Sequence, residues 1–196
     1  KKKSLKFNAI MSSIKTFVTI IFPLITFPYI SRILGPSGTG NVSFATSIVA
    51  YFALFAQLGI PTYGIRATAR VRDDKMLLSK TVQEIFIINF LMSVLTYIVF
   101  FVVLNFVPQM YNDKMLFIIV SSTILFSSIG MDWLYKGLEK YTYITVVSIL
   151  FKFIALILMF LLIHQKSDYV VYGAISIFAA SASNVCNFFN VHKYIY

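Results

Sequence analysis

The sequence predicts an all-α protein that crosses a membrane several times, and two observations lead to this fold class. Of its 196 residues, 59% are hydrophobic and 12% are charged, whereas a soluble domain carries roughly 45–50% apolar and about 25% charged residues. Mean hydropathy is +0.83, and the charges are grouped between long apolar stretches. Because so few charges cannot cover a water-exposed surface, we expect a polytopic membrane protein without a separate soluble domain.

Uncharged or nearly uncharged windows define six predicted transmembrane helices. A helix needs about 20 mostly apolar residues to cross the hydrocarbon core. The N-terminus superficially resembles a signal peptide, but Lys15 interrupts its apolar region and no small-residue cleavage site follows, which favours an uncleaved first span. The predicted spans are residues 8–30, 42–64, 84–107, 115–137, 141–163 and 169–191.

Lys and Arg residues are distributed unequally between the two sides that six crossings define. Twelve of the seventeen lie on the side that carries both termini, three lie on the other side, and Lys15 and Lys152 lie within spans. The positive-inside rule therefore predicts that both termini are cytoplasmic. This distribution also accounts for the net charge of +10 without a basic face for nucleic acid, so we expect no nucleic-acid partner.

A glycine-rich stretch, GPSGTG, follows Arg32 between the first two predicted spans. Such stretches can bind phosphate through backbone N–H groups. The predicted orientation places this one on the outer side, away from cytosolic nucleotide, and no Gly-Lys-Ser/Thr follows it. We therefore predict a tight turn over residues 35–40. Pro23, Pro28 and the segment 59–61 (Gly-Ile-Pro) should kink the first two spans.

Polar residues recur at helical spacing on several predicted spans, with two possible meanings. Hydroxyl and amide groups can hydrogen-bond neighbouring helices to each other, or they can line a shared water-filled cavity. Their recurrence in one six-span unit favours a cavity. The candidate cavity residues of this kind are Thr19, Asp132, Ser148 and Asn187.

Lys152 is the most informative charge because it lies near the middle of its span. It is about 17 Å from either end at 1.5 Å per residue, which is too deep for snorkelling to the interface. Such a residue costs about 3 kcal/mol on insertion scales and usually faces a polar interior. Two interpretations follow: a buried ion pair with Asp132 or Glu84, or a cation that faces a cavity. Lys15, about two turns inside the first span, either faces the same cavity or snorkels to the surface.

The sign of the charges restricts the class of substrate. Glu84 and Asp132 lie near span ends, so the cations lie deeper than the carboxylates, which suits an anionic substrate such as a phosphate-bearing lipid. Catalytic motifs are lacking, and His164 and His192 lack metal-ligand spacing. The lone Cys186 supports neither a disulfide nor a Cys-based metal cluster. We predict a protein that is not an enzyme and has no catalytic residues, metal or cofactor.

Two stretches resemble the polysaccharide-transporter family, the Wzx-type flippases of the multidrug/oligosaccharidyl-lipid/polysaccharide exporter superfamily. They are residues 27–74, which contain SRILG and YGIR, and residues 130–163, which contain the pattern Asp-Trp-Leu-x-x-Gly-Leu-Glu. KFNAIMSSIKT and NFFNVHKYI at the two ends fit as well, so the resemblance covers essentially the whole chain.

The resemblance implies two six-helix lobes that face each other across a central cavity, with this chain as the N-terminal lobe. It implies that an undecaprenyl-diphosphate-linked O-antigen or capsular repeat unit is flipped across the bacterial inner membrane. A polysaccharide polymerase and a chain-length regulator are the implied protein partners. Cavity cations would meet the diphosphate, and the positions that carry over are Lys152, Arg32, Arg66 and Lys15. Arg32 and Arg66 equally fit interfacial anchors.

Two other functions compete with this prediction. A MATE-like antiporter of cations or drugs would need an essential mid-membrane carboxylate in the other lobe, since this chain has none. A membrane scaffold that gathers polysaccharide assembly enzymes would not depend on Lys152.

Overall fold

The computed structural model describes residues 5–195, and this range is helical with short connections and contains no strand. Five helical segments are long and apolar enough to cross a membrane, which agrees with the predicted all-α membrane fold: Lys6–Val71, Lys75–Phe106, Lys114–Gly137, Tyr141–Leu162 and Lys166–Lys193. The helices are α1 (Leu5–Gln57), α2 (Ile60–Val71), α3 (Lys75–Phe106), α4 (Pro108–Asn112), α5 (Lys114–Ile129), α6 (Asp132–Gly137), α7 (Tyr141–Leu162) and α8 (Tyr169–Asn190), with 3₁₀ turns at Lys166–Asp168 and Val191–Lys193.

Helix α1 folds back on itself at Gly35. The backbone there has φ 68° and ψ −177°, while the remainder of α1, including Pro23 and Pro28, keeps helical angles. Lys15 and Gln57 line one cavity, although a straight helix would hold them about 60 Å apart. The chain therefore reverses, and α1 consists of a first arm, residues 5–34, and a second arm, residues 36–57. These arms contain the first predicted span and most of the second.

The predicted turn over residues 35–40 is confined to Gly35. Pro36 already belongs to the second arm, where its fixed φ suits the start of a helix. The Thr39 hydroxyl donates a hydrogen bond to the Gly35 carbonyl oxygen at 2.8 Å. The prediction was too wide because a glycine-rich sequence can continue as helix when one residue makes the reversal.

Replacing Gly35 by Ala should lower the free energy of unfolding of the full-length protein by about 1–3 kcal/mol, because its backbone conformation is essentially restricted to glycine. An added Cβ meets nothing within 4 Å, so the backbone alone carries the effect. The matched control is Gly40→Ala, which also adds an unhindered Cβ but lies in regular helix. It should be neutral or stabilise by up to about 1 kcal/mol. Thermal unfolding in detergent measures both, and equal losses would contradict the role of Gly35.

Two of the other predicted spans are interrupted. Helix α1 ends at Gln57, and α2 begins at Ile60 after Leu58 and Gly59, both with positive φ. The break predicted at residues 59–61 is thus confirmed, and α1 ends seven residues before the predicted end of the second span at residue 64. The fourth predicted span, 115–137, consists of α5 and α6, which are separated at Met131 with φ 43°.

Helices α2 and α6 pack against each other through two glycines. A Cβ on Gly64 would lie 2.6 Å from Trp133 ring atoms, and one on Gly137 would lie 2.6 Å from the Thr68 Cβ. The absence of side chains at these two positions allows the two short helices to approach closely. The contact holds α6 in place beside the helices that surround the cavity.

Each of the longer helices buries apolar side chains on one face against its neighbours and exposes apolar side chains on the opposite face. The second arm of α1 packs with α3, α5 and part of α8 in one apolar cluster. The first arm packs with α7 and α8 in another. Large apolar side chains on the outside are exposed, as lipid contact requires, and examples are Phe17, Leu54, Leu91, Phe153 and Leu161.

Candidate functional site: a cavity with three lysines

A cavity of about 610 Å³ lies between the first arm of α1 and helices α2, α5, α6, α7 and α8. Its charged lining residues are Lys15, Lys136, Lys152 and Asp132. Hydroxyl groups from four helices surround them: Thr19, Thr26, Ser127, Ser148, Ser176 and Ser183. Polar residues of the first, fourth, fifth and sixth predicted spans therefore line one cavity.

Lys152 projects from the middle of α7 and is 9% exposed. Its Nζ donates a hydrogen bond to the Thr19 Oγ1 at 2.5 Å, and this hydroxyl donates to the Lys15 carbonyl oxygen at 2.8 Å. Within residues 5–195, Lys152 forms no ion pair, so the predicted pair with Asp132 or Glu84 is not formed. An ammonium group has three N–H donors, and those not bound to Thr19 are available to a ligand in the cavity.

Asp132 is paired with two other lysines. The Lys15 Nζ lies 3.1 Å from Oδ1 and 3.4 Å from Oδ2, while the Lys136 Nζ lies 2.8 Å from Oδ2. Lys136 is one helical turn from Asp132 on α6, whereas Lys15 reaches it from the first arm of α1. Asp132 also lies in the first turn of α6, where the helix dipole favours a negative charge. Both carboxylate oxygens are thus engaged by cations.

The charges that line the cavity do not balance. Three lysines face one aspartate, which gives the lining a formal surplus of two positive charges. In a site with low effective dielectric, such a surplus attracts anions much more strongly than it would in water. Ammonium groups bind phosphate through charge-assisted hydrogen bonds. The cavity therefore suits an anionic group that carries about two negative charges.

The structure brings five of the eight predicted site residues together and separates three. Lys15, Thr19, Asp132, Ser148 and Lys152 line the cavity. Asn187 is buried elsewhere, and its carbonyl oxygen accepts a hydrogen bond from the Tyr135 hydroxyl. Arg32 and Arg66 are exposed and lie outside the cavity lining. A substrate contact by either arginine stays a prediction.

Sequence reasoning did not single out Lys136, and a signal for it was present. It follows Asp132 by four residues, a spacing that places both on one face of a helix. Gln57 and Asn184 also line the cavity. Gln57 is the last residue of α1, so its position depends on a helix end that apolar windows do not locate.

The Asp-Trp-Leu-x-x-Gly-Leu-Glu pattern combines packing residues with cavity residues. Trp133 and Gly137 form the contact with α2, and Glu139 accepts a hydrogen bond from Arg72 at 2.6 Å. Asp132 and Lys136 supply charge to the cavity. Among residues 5–195, no cluster of His, Cys, Asp and Glu residues could hold a metal ion.

Comparison with known proteins identifies the family. The model of the polysaccharide biosynthesis protein family matches residues 5–194. The chain belongs to this family. Two curated relatives are each named "Putative O-antigen transporter". The one from Escherichia coli K12 is 26% identical over 174 residues, which are 89% of this chain and 42% of the relative. The one from Shigella dysenteriae is 28% identical over 150 residues, which are 76% of this chain and 37% of the relative.

Membership of the polysaccharide biosynthesis protein family confirms the resemblance seen in the sequence. The chain spans less than half the length of these two relatives, and their names describe transporters rather than enzymes. No solved structure matches the chain. Helices that could cross a membrane and membership of the polysaccharide biosynthesis protein family thus describe this chain, while transport is the role that the names of the two relatives give.

Proposed function

We propose that this chain forms one lobe of a transporter that flips undecaprenyl-diphosphate-linked oligosaccharide units from the inner to the outer leaflet by alternating access. The units would serve O-antigen or capsular polysaccharide synthesis at the bacterial plasma membrane. The observation that carries the proposal is Lys152, a buried cation without a carboxylate partner in the described residues, in a cavity with two surplus positive charges. The names of the two relatives support the substrate class.

The cavity chemistry fits the proposed head group. A diphosphate that links a lipid to a sugar carries two negative charges, which equal the charge surplus of the cavity. The surrounding Ser and Thr hydroxyls could both donate and accept hydrogen bonds with sugar hydroxyls. The apolar outer surface would keep the lipid tail in the bilayer while the head group crosses. The relatives are more than twice as long as the segment that this chain matches, and a second lobe formed by their remaining residues would close the cavity.

Cation antiport is a poorer fit to the same cavity. An antiporter of this kind needs a carboxylate that can exchange a proton for a cation. Asp132 lines the cavity, but Lys15 and Lys136 already occupy its oxygens. A cation would have to displace both lysines and then approach the uncompensated Lys152.

A deletion strain tests the proposal. Without the full-length gene, lipid-diphosphate-linked repeat units should accumulate with their glycans facing the cytoplasm, where a membrane-impermeant glycosidase added to intact spheroplasts cannot reach them. The full-length gene should restore surface polysaccharide, as should a Lys114→Ala variant, since Lys114 is exposed and outside the cavity. Residues 1–196 alone should not. Accumulation of outward-facing units would contradict flipping and point to a later step, such as the polymerase or chain-length regulator proposed as partners.

A further inference from the structure

Asp132 connects two helices on either side of the cavity. Its carboxylate binds Lys15 on the first arm of α1 and Lys136 on its own helix α6. The three side chains are 26%, 31% and 36% exposed in the order Lys15, Asp132 and Lys136, so a ligand in the cavity could reach all of them. The carboxylate therefore competes directly with any anion for the same two ammonium groups.

We propose that Asp132 is an internal counter-ion that a diphosphate group displaces from Lys15. This inference rests on the proposed function, because it assumes that an anionic head group enters this cavity. Lys15 is the lysine that changes partner, because it reaches Asp132 from another helix at 3.1 Å, whereas Lys136 lies 2.8 Å away on the same helix. Replacement of the carboxylate by a phosphate on Lys15 would break this ion pair between the first arm of α1 and α6.

Thr19 holds the Lys152 ammonium group against the first arm of α1, one helical turn from Lys15. Its hydroxyl links the Lys15 backbone to the Lys152 ammonium group. Lys15 and Lys152 can therefore turn towards one anion together when Asp132 releases Lys15. With a diphosphate bound, three lysines oppose the aspartate and two phosphate charges, so the formal charges of the site balance.

The counter-ion also explains how the anion would leave. Without Asp132, three lysines would hold two phosphate charges, and the surplus cation would strengthen binding. With Asp132 present, the departing diphosphate is replaced on Lys15 by a carboxylate that is already in place. Asp132 is thus a positioning residue whose charge weakens binding and speeds release.

The test compares binding and export in the full-length protein. Binding of inorganic pyrophosphate to the detergent-solubilised protein is measured by isothermal titration calorimetry at low salt. Asp132→Asn should tighten pyrophosphate binding about fivefold, as expected for loss of one competing, partly exposed charge, and should reduce surface polysaccharide. Asp132→Glu keeps the charge and should leave the affinity within about twofold of the unsubstituted protein. In a Lys15→Met background, Asp132→Asn should have a smaller effect on affinity.

The outcomes show whether the counter-ion role fails alone or together with the proposed function. Unchanged or weaker binding in Asp132→Asn, while Lys152→Met still weakens binding, would overturn the counter-ion role alone. Absence of saturable pyrophosphate binding to the unsubstituted protein would overturn both proposals. A lowered unfolding temperature together with lost affinity in both Asp132→Asn and a second neutral variant, Asp132→Ser, would show that Asp132 is structural and would also overturn the inference.

Discussion

Replacing Lys152 by Glu in the full-length protein should lower export of surface polysaccharide at least about 100-fold, because like charges forced together cost several kcal/mol and each 1.4 kcal/mol is about a factor of ten. The substitution removes both surplus positive charges of the cavity and places a carboxylate where the diphosphate would bind. It also removes the only ammonium group of the described cavity that lacks an ion-pair partner. Surface polysaccharide is measured in a deletion strain at equal protein level in the membrane.

Variants at the same and other positions separate charge from packing. Lys152→Met keeps the length of the side chain and should be less harmful than Lys152→Glu, while Lys152→Arg keeps the charge and should retain the most export. Lys114→Glu is the matched control, since Lys114 is exposed at the start of α5 and outside the cavity. Equal export by all Lys152 variants would contradict an anion-handling cavity and favour a scaffold. Arg32→Ala and Arg32→Glu test whether the pathway extends to the end of the first arm.

Replacing Gly137 by Val should destabilise the protein by about 3 kcal/mol, because overpacking a close contact forces side-chain and backbone shifts. The new Cβ would lie 2.6 Å from the Thr68 Cβ and 3.0 Å from the Ile65 carbonyl oxygen. Gly64→Val should have a similar effect, since its Cβ would lie 2.6 Å from the Trp133 ring. We expect both proteins to fail to accumulate in the membrane or to unfold at a clearly lower temperature.

A compensating change tests whether this contact is the cause. Removing the Thr68 side chain relieves the closest contact of a new Cβ at position 137. The Thr68 hydroxyl lacks a hydrogen-bond partner in the described residues, so its removal breaks no such bond there. The double variant Gly137→Ala/Thr68→Gly should therefore recover part of the stability lost in Gly137→Ala. If the double variant recovers less than about 1 kcal/mol of the free energy of unfolding, which is the cost of a glycine in a helix, another contact limits position 137.

The apolar helical character of the chain could be predicted because the distribution of apolar residues determines which stretches can be buried in lipid, although six spans were predicted and five helical segments are long and apolar enough to cross a membrane. Helix ends were harder to predict. Helix α3 begins at Lys75, nine residues before the predicted span, because Asp74 accepts hydrogen bonds from the N–H groups of Met76 and Leu77. An apolar window omits this first part because it carries Lys75 and Lys80. The break at Met131 directly follows Gly130, yet Met131 and not the glycine adopts the positive φ, so the sequence does not mark the residue that makes the break.

The residues that line the cavity were easier to predict than the ion pairs that they form. Depth in a span indicated Lys152, and helical spacing indicated Thr19 and Ser148, which all line the cavity. The partner of each charge depended on where α6 lies, and α6 is positioned by the break at Met131 and by its contact with α2. For this reason Asp132 pairs with Lys15 and Lys136 rather than with Lys152. Arg32 and Arg66 were predicted as substrate contacts from the motifs that contain them, and a motif does not indicate how far a residue lies from a cavity.

In the short helix α6, the side chains that pack against neighbouring helices differ from those that supply charge to the cavity. Trp133, Leu134, Tyr135 and Gly137 are buried in packing contacts, while Asp132 and Lys136 stay half-buried at the cavity. Residues with a different charge can therefore be substituted at positions 132 and 136 while α6 remains packed against α2. Two codon changes could therefore alter the charge of the cavity, in evolution or by design, while the packing of α6 stays intact.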